Sequence, residues 1–206
     1  GGVMGNTAVN NVKVADLTGD GLKEIVTGGF TYDGENINGQ IKVWSWTGTE
    51  LTEKASQEWA NDYLTEVKCI SLNDVDGDGE VEIVQSGIIA AKGSFNSSDT
   101  AHDRAQLRVW TLSSDELTLK YAHNWTFDNG ACAWNVGSGD LDNDGITEIV
   151  TVGCSAYGSL CDPDMRIWAL APVVVNFNLV LLSAIVVGSL FAVIIFTIMI
   201  LLKKRR

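Results

Sequence analysis

The sequence predicts an all-β protein: a partial β-propeller of about three four-stranded antiparallel blades, the last one incomplete, followed by one transmembrane α-helix. Three observations predict it. An acidic motif recurs three times between positions 10 and 170. The segments around it alternate apolar and polar residues at the period of a strand. The run 179–202, near the C-terminus, holds no charged side chain.

The repeat comes first because it organises everything else. DLTGDGLKEIV begins at Asp16, DVDGDGEVEIV at Asp74 and DLDNDGITEIV at Asp140. A glycine follows each at one offset, Gly29, Gly87 and Gly153. An apolar-basic-apolar-Trp run then ends at Trp44, Trp110 and Trp168. The first two units go on to a second tryptophan, Trp59 and Trp125, again at one shared offset. The glycine-to-tryptophan spacing is the same in the first and third units and longer in the second, which marks an insertion there. Agreement at this many offsets is an internal repeat, with units at about 10–60, 61–126 and 127–170.

Each unit carries strand signals. Val12 to Ala15 alternates, Glu24 to Gly28 is short and β-branched, and Gln40 to Trp46 alternates again. Thr47, Gly48, Thr49 and Glu50 read as a hairpin turn into a fourth strand near 51–59. Four antiparallel strands per unit, repeated, fit propeller blades. The third unit stops at Leu170, before its fourth strand. The segment 171–178 reads as a linker. As a helix, 179–202 would span about 36 Å, against about 30 Å of hydrocarbon. The tail 203–206, Lys203, Lys204, Arg205 and Arg206, fits a cytoplasmic stop. That places Gly1 to about Pro172 outside a cell membrane crossed once. The chain begins with Gly1, so either a signal peptide has been removed or this is the C-terminal piece of something longer.

Charge narrows the partners. The chain has 26 acidic and 14 basic side chains and a net charge of -12. Four of those cations are the last four residues, which leaves 26 acids against 10 bases ahead of them. Such a surface repels phosphate backbones and excludes nucleic acid as a partner. Cations are the partner it attracts.

The acidic motif gives that attraction an address. Oxygens at positions 1, 3, 5 and 9, a backbone carbonyl at position 7 and a turn-forming glycine at position 6 suit a hard cation such as Ca²⁺. The candidate sets are Asp16, Thr18, Asp20, Leu22 and Glu24; Asp74, Asp76, Asp78, Glu80 and Glu82; and Asp140, Asp142, Asp144, Ile146 and Glu148. Leu22, Glu80 and Ile146 would each act through the carbonyl. Up to three ions are expected, with the first loop weaker because Thr18 replaces an aspartate. Zinc does not fit a chain with two histidines and no Cys-x-x-Cys.

The three units resemble FG-GAP/VCBS-type repeats, the blades of integrin α-subunit propellers and of many prokaryotic surface proteins. The resemblance covers 10–170 and rests on the acidic loop followed by Glu-Ile-Val and glycine. It implies a membrane-anchored, extracellular, calcium-binding propeller that serves adhesion or recognition of an extracellular protein or glycan. Two other classes compete: a fragment or subunit of a cell-surface lyase or hydrolase, and a calcium-dependent surface-assembly component. Three blades do not close a ring, so either upstream blades or further copies of the chain would complete it.

The remaining reactive residues suggest structure more than chemistry. Cys154 and Cys161 flank a short loop and are expected to form a disulfide on an oxidising side of a membrane. Cys69 and Cys132 either pair across neighbouring units or are buried thiols. Ser97, Ser98, Asp99, His102 and Asp103 are too close in sequence for a nucleophile–base geometry, and no Gly-x-Ser-x-Gly elbow is present. Trp46 and Trp134 do not recur and are assigned to the core, with stacking on a sugar or peptide as the alternative.

Overall fold

The computed structural model describes residues 7–92, 103–128, 130–155 and 162–170. The regular elements among them are eleven strands: β1 (Thr7–Ala15), β2 (Glu24–Tyr32), β3 (Ile37–Trp46), β4 (Leu51–Trp59), β5 (Leu64–Asn73), β6 (Glu82–Ala90), β7 (Arg104–Ser113), β8 (Glu116–Trp125), β9 (Cys132–Gly139), β10 (Glu148–Cys154) and β11 (Pro163–Ala169). β1–β4 and β5–β8 are antiparallel meanders. One parallel pair, Ile37 against Leu64, joins them into a single eight-stranded mixed sheet. β9, β10 and β11 form a separate three-stranded antiparallel sheet.

The all-β class is as the alternation predicts, and the rest of the expected architecture is corrected. The first two units are not separate propeller blades, because the Ile37–Leu64 pair merges them, and among the described residues neither sheet closes. No helix among the described residues is long and apolar enough to cross a membrane. The run 179–202, with the linker 171–178 and the tail 203–206, lies outside the described residues. The single transmembrane helix, the single-pass placement in a cell membrane and the membrane as a partner therefore lack structural support. The charge-free run 179–202 suggested them, whereas the regular elements among the described residues are all strands.

The core lies between units. Val26, Ile41 and Val43 of the first meander pack against Val67, Ile70 and Ile83 of the second. Val84, Leu107 and Val109 then pack against Val136 and Ile149. Every residue of β6 is buried, which explains why Ile83, Val84, Ile88 and Ile89 break the alternation: both faces of that strand are covered. Each such side chain contributes about 1.5–3 kcal/mol.

Tryptophans form the joint between units. Trp59 at the end of β4 lies 5.2 Å, centroid to centroid, from Trp110 of β7, and Trp125 of β8 lies 5.2 Å from Trp168 of β11. In each joint the basic residue two before the receiving tryptophan covers the donor ring, Arg108 over Trp59 at 5.3 Å and Arg166 over Trp125 at 5.0 Å. The donor indole N–H goes to the side chain two residues earlier still, Gln106 or Asp164. The apolar-basic-apolar-Trp run is thus a docking surface for the preceding unit's last strand.

The recurrent glycine has an equally local cause. The first strand of each unit bulges opposite it, with Asn10, Lys68 and Trp134 as the extra residues. A Cβ on Gly29, Gly87 or Gly153 would lie 1.9 Å from the carbonyl oxygen of Ala8, Glu66 or Cys132. The bulge residues form a chain across the units. Asn10 donates to Glu66, Lys68 pairs with Glu66 at 2.7 Å, and the Lys68 ammonium lies over the Trp134 ring. That is why Trp134 is 41% exposed and not in the core; Trp46, at the β3–β4 turn, is 55% exposed.

One polar position departs from the repeat. Trp44 and Trp168 each donate an indole N–H to a threonine three residues after the motif's glutamate, Thr27 and Thr151, both at 3.0 Å. In the second unit Gln85 stands there, and its amide and the Trp110 indole N–H are buried without a hydrogen-bond partner among the described residues.

Two outcomes follow for denaturant unfolding. Gly87→Ala and Gly153→Ala each lose about 2 kcal/mol or more, because backbone must move, whereas Gly137→Ala, with nothing within 4 Å, changes little. Thr151→Val loses about 1 kcal/mol by orphaning the Trp168 indole, and Gln85→Thr moves stability in the opposite direction.

Candidate metal loops

Each acidic motif forms the turn from the first to the second strand of its unit, and the three turns share one hydrogen-bond pattern. The aspartate at position 1 accepts with one oxygen from the N–H at position 4 and with the other from that at position 6. Asp16 holds Gly19 at 2.7 Å and Gly21 at 2.8 Å; Asp74 holds Gly77 at 2.7 Å and Gly79 at 2.9 Å; Asp140 holds Asn143 at 2.6 Å and Gly145 at 3.0 Å. The position-5 carboxylate of Asp20, Asp78 or Asp144 takes the N–H of Leu22, Glu80 or Ile146. The glutamate at position 9, Glu24, Glu82 or Glu148, reaches back to the N–H of Leu17, Val75 or Leu141 at 2.9–3.0 Å.

This winding needs the left-handed region twice. Positions 4 and 6 have positive φ, between 65° and 90°, in all three loops. Glycine fills five of the six places, and asparagine, the side chain that tolerates this region best, fills the sixth as Asn143.

The loops differ in what the carboxylates do beyond closing the turn. Carboxylate oxygens of Asp74, Asp76 and Asp78 lie within 4.8 Å of one another, as do those of Asp140, Asp142 and Glu148. Either cluster could hold a metal ion. The first loop, with Thr18 at position 3, brings no such trio together among the described residues. Of the sequence-predicted side-chain ligands, Glu82 and Asp144 stand outside the two trios, as do Asp16, Thr18, Asp20 and Glu24 of the first loop, and Leu22, Glu80 and Ile146 engage through their N–H groups.

Two residues that sequence reasoning missed complete the electrostatics. Lys54 lies 3.1 Å from Glu24, and Lys120 lies 2.6 Å from Asp76, 2.8 Å from Asp78 and 2.8 Å from Glu82. Burial opposes the charge on Lys120, but the three carboxylate hydrogen bonds outweigh it and hold the ammonium well above the ordinary lysine range. The Lys120 hydrogen bond lowers Asp78, and burial, partly offset by that lysine, raises Glu82. A signal was present: the two lysines stand at one shared offset after their units' third-strand tryptophans, Trp44 and Trp110. The third loop forms no ion pair among the described residues. A cleft of about 330 Å³ separates the first two loops, lined by Asp16, Thr18, Gly79, Glu80, Leu112 and Ser114.

The cysteines do not crosslink among the described residues. Cys154 is a buried free thiol whose sulfur accepts the Trp134 indole N–H at 3.3 Å, and Cys161 lies outside the described residues. The expected Cys154–Cys161 disulfide is therefore corrected. Cys69 and Cys132 are buried free thiols, Cys69 bonded to the Asn135 amide oxygen and Cys132 raised above the ordinary thiol range by burial. The segment 97–102 lies outside the described residues.

No protein-family model and no curated protein sequence matches the chain. With neither sheet closing among the described residues, this overturns the resemblance to FG-GAP/VCBS propeller repeats and the adhesion function it implied. Fold and site define a class more simply: an all-β domain of one mixed and one antiparallel sheet carrying two acidic clusters that could hold a metal ion.

The position-1 aspartate closes the turn whether or not a metal is present. Asp74→Ala, which removes two charge-assisted hydrogen bonds, is expected to cost about 2–3 kcal/mol in chelator-containing buffer. Urea unfolding monitored by tryptophan fluorescence measures it.

Proposed function

We propose that the domain is a calcium-dependent assembly component. The observation that carries this is the convergence of the Asp140, Asp142 and Glu148 oxygens, with no basic group paired to them among the described residues. Three like charges held that close repel one another unless a cation lies between them. All candidate donors are hard oxygens, which favours Ca²⁺ over zinc. Its adaptable six-to-eight coordination also suits a flexible turn better than the strict octahedron of Mg²⁺. Asp140, Asp142, Asp144 and Glu148 are the side-chain ligands in this reading, with Ile146 contributing its carbonyl.

Assembly is supported by the strand edges. Among the described residues no strand pairs with the outer side of β1 or of β11. Val9, Val12 and Val14 on β1 and Met165 and Ile167 on β11 are exposed. Unpaired edges carrying apolar side chains are templates for pairing with another chain. Calcium at the third loop would stiffen the β9–β10 turn, and with it the sheet whose edge is β11.

Thermal melting and sedimentation velocity in millimolar CaCl₂ and in EGTA form the test. Calcium is expected to raise the melting temperature by several degrees and to shift the sedimentation distribution to larger species, with EGTA reversing both. A melting temperature and a distribution that ignore calcium would contradict the reading.

A further inference from the structure

The second loop already contains a cation. Lys54 and Lys120 are not merely nearby lysines: each is the extra residue of a β-bulge in the last ladder of its unit. Val43 pairs with Ala55 and Trp44 with Glu53, which leaves Lys54 between them. Val109 pairs with Tyr121 and Trp110 with Leu119, which leaves Lys120. A bulge re-aims its extra side chain, and here the same bulge in two units aims a lysine at the acidic turn of its own unit.

From this geometry we infer that Lys120 is a tethered cation that takes the place of a divalent ion in the second loop. Its ammonium has three donors, and Asp76, Asp78 and Glu82 receive them at 2.6–2.8 Å. A calcium ion needs carboxylate oxygens at about 2.3–2.6 Å, so it would compete for the same oxygens and repel the ammonium. Glu82 is fully buried at the head of β6, with one oxygen on the Val75 N–H and the other on Lys120, so the lysine is held inside the cluster and not across its mouth. Lys54 serves Glu24 in the same way in the first loop, where no carboxylate trio forms.

This deepens the calcium reading, and rests on it, by deciding which loops take up the ion. The direct experiment is calorimetric titration of the chelator-stripped full chain with CaCl₂, for the wild type, Lys120→Met and Asp76→Asn. Lys120→Met is expected to bind one ion more than the wild type, and Asp76→Asn the same number as the wild type. Equal stoichiometry in the wild type and a folded Lys120→Met would overturn the inference. So would the loss of one ion in Asp76→Asn, which needs no folded lysine variant to be informative. A wild type that binds nothing while Lys120→Met binds one ion would remove calcium from the third loop and leave the role of Lys120 standing.

Discussion

A glutamate at the head of the second strand is the constraint around which each loop is arranged, and in the first two units that carboxylate is sunk. Glu82 has no exposed surface and Glu24 only 2%. An ion taken out of water without compensation costs several kcal/mol. Compensation comes in two parts. The N–H at position 2 donates to one oxygen in all three units, and in the first two a lysine from the last strand meets the other. The position-1 aspartate then winds the intervening residues through two left-handed positions, and in the second and third loops three carboxylates converge.

That local arrangement is tied to the packing between units. The lysine reaches the loop because a bulge in the last ladder turns it there. The same strand ends in the tryptophan that docks on the next unit, Trp59 on Trp110 and Trp125 on Trp168. The first strand bulges as well, opposite a glycine that accommodates the approaching carbonyl. Loop charge, strand register and inter-unit contact therefore depend on one another. A change in the register of β4 or β8 would move both the counter-ion and the ring.

Much of this is legible in the sequence. The three turns, the strands around them and the glycine and tryptophan offsets follow from the repeat, because each is fixed by contacts within a unit or with its neighbour. Asn143 in place of glycine is legible too, since it is the substitution a left-handed residue permits. The recurrent tryptophans mark packing between units, but the merging of the first two into one sheet is not legible. A single parallel pair, Ile37 with Leu64, makes one sheet of two meanders, and one bridge leaves no pattern in the composition. Within the site, the carboxylates can be read from spacing, whereas for Lys54 and Lys120 the shared offset marks a repeat position but not the carboxylates they meet. They lie 30 and 38 residues from the glutamates they pair with, and a lone lysine in a strand resembles any solvated surface residue. Apolarity alone points Trp134 to the core, but its bulge position sends it to the surface under Lys68. Proximity in sequence points to a Cys154–Cys161 disulfide, yet Cys154 faces the Trp134 indole.

The acidic turn of the third unit is the proposed calcium site, with Asp140, Asp142, Asp144 and Glu148 as its side-chain ligands. Long-wavelength anomalous diffraction from crystals grown in calcium tests it most directly. An anomalous peak is expected within about 2.3–2.6 Å of those carboxylate oxygens. The third turn without anomalous density at saturating calcium would contradict it.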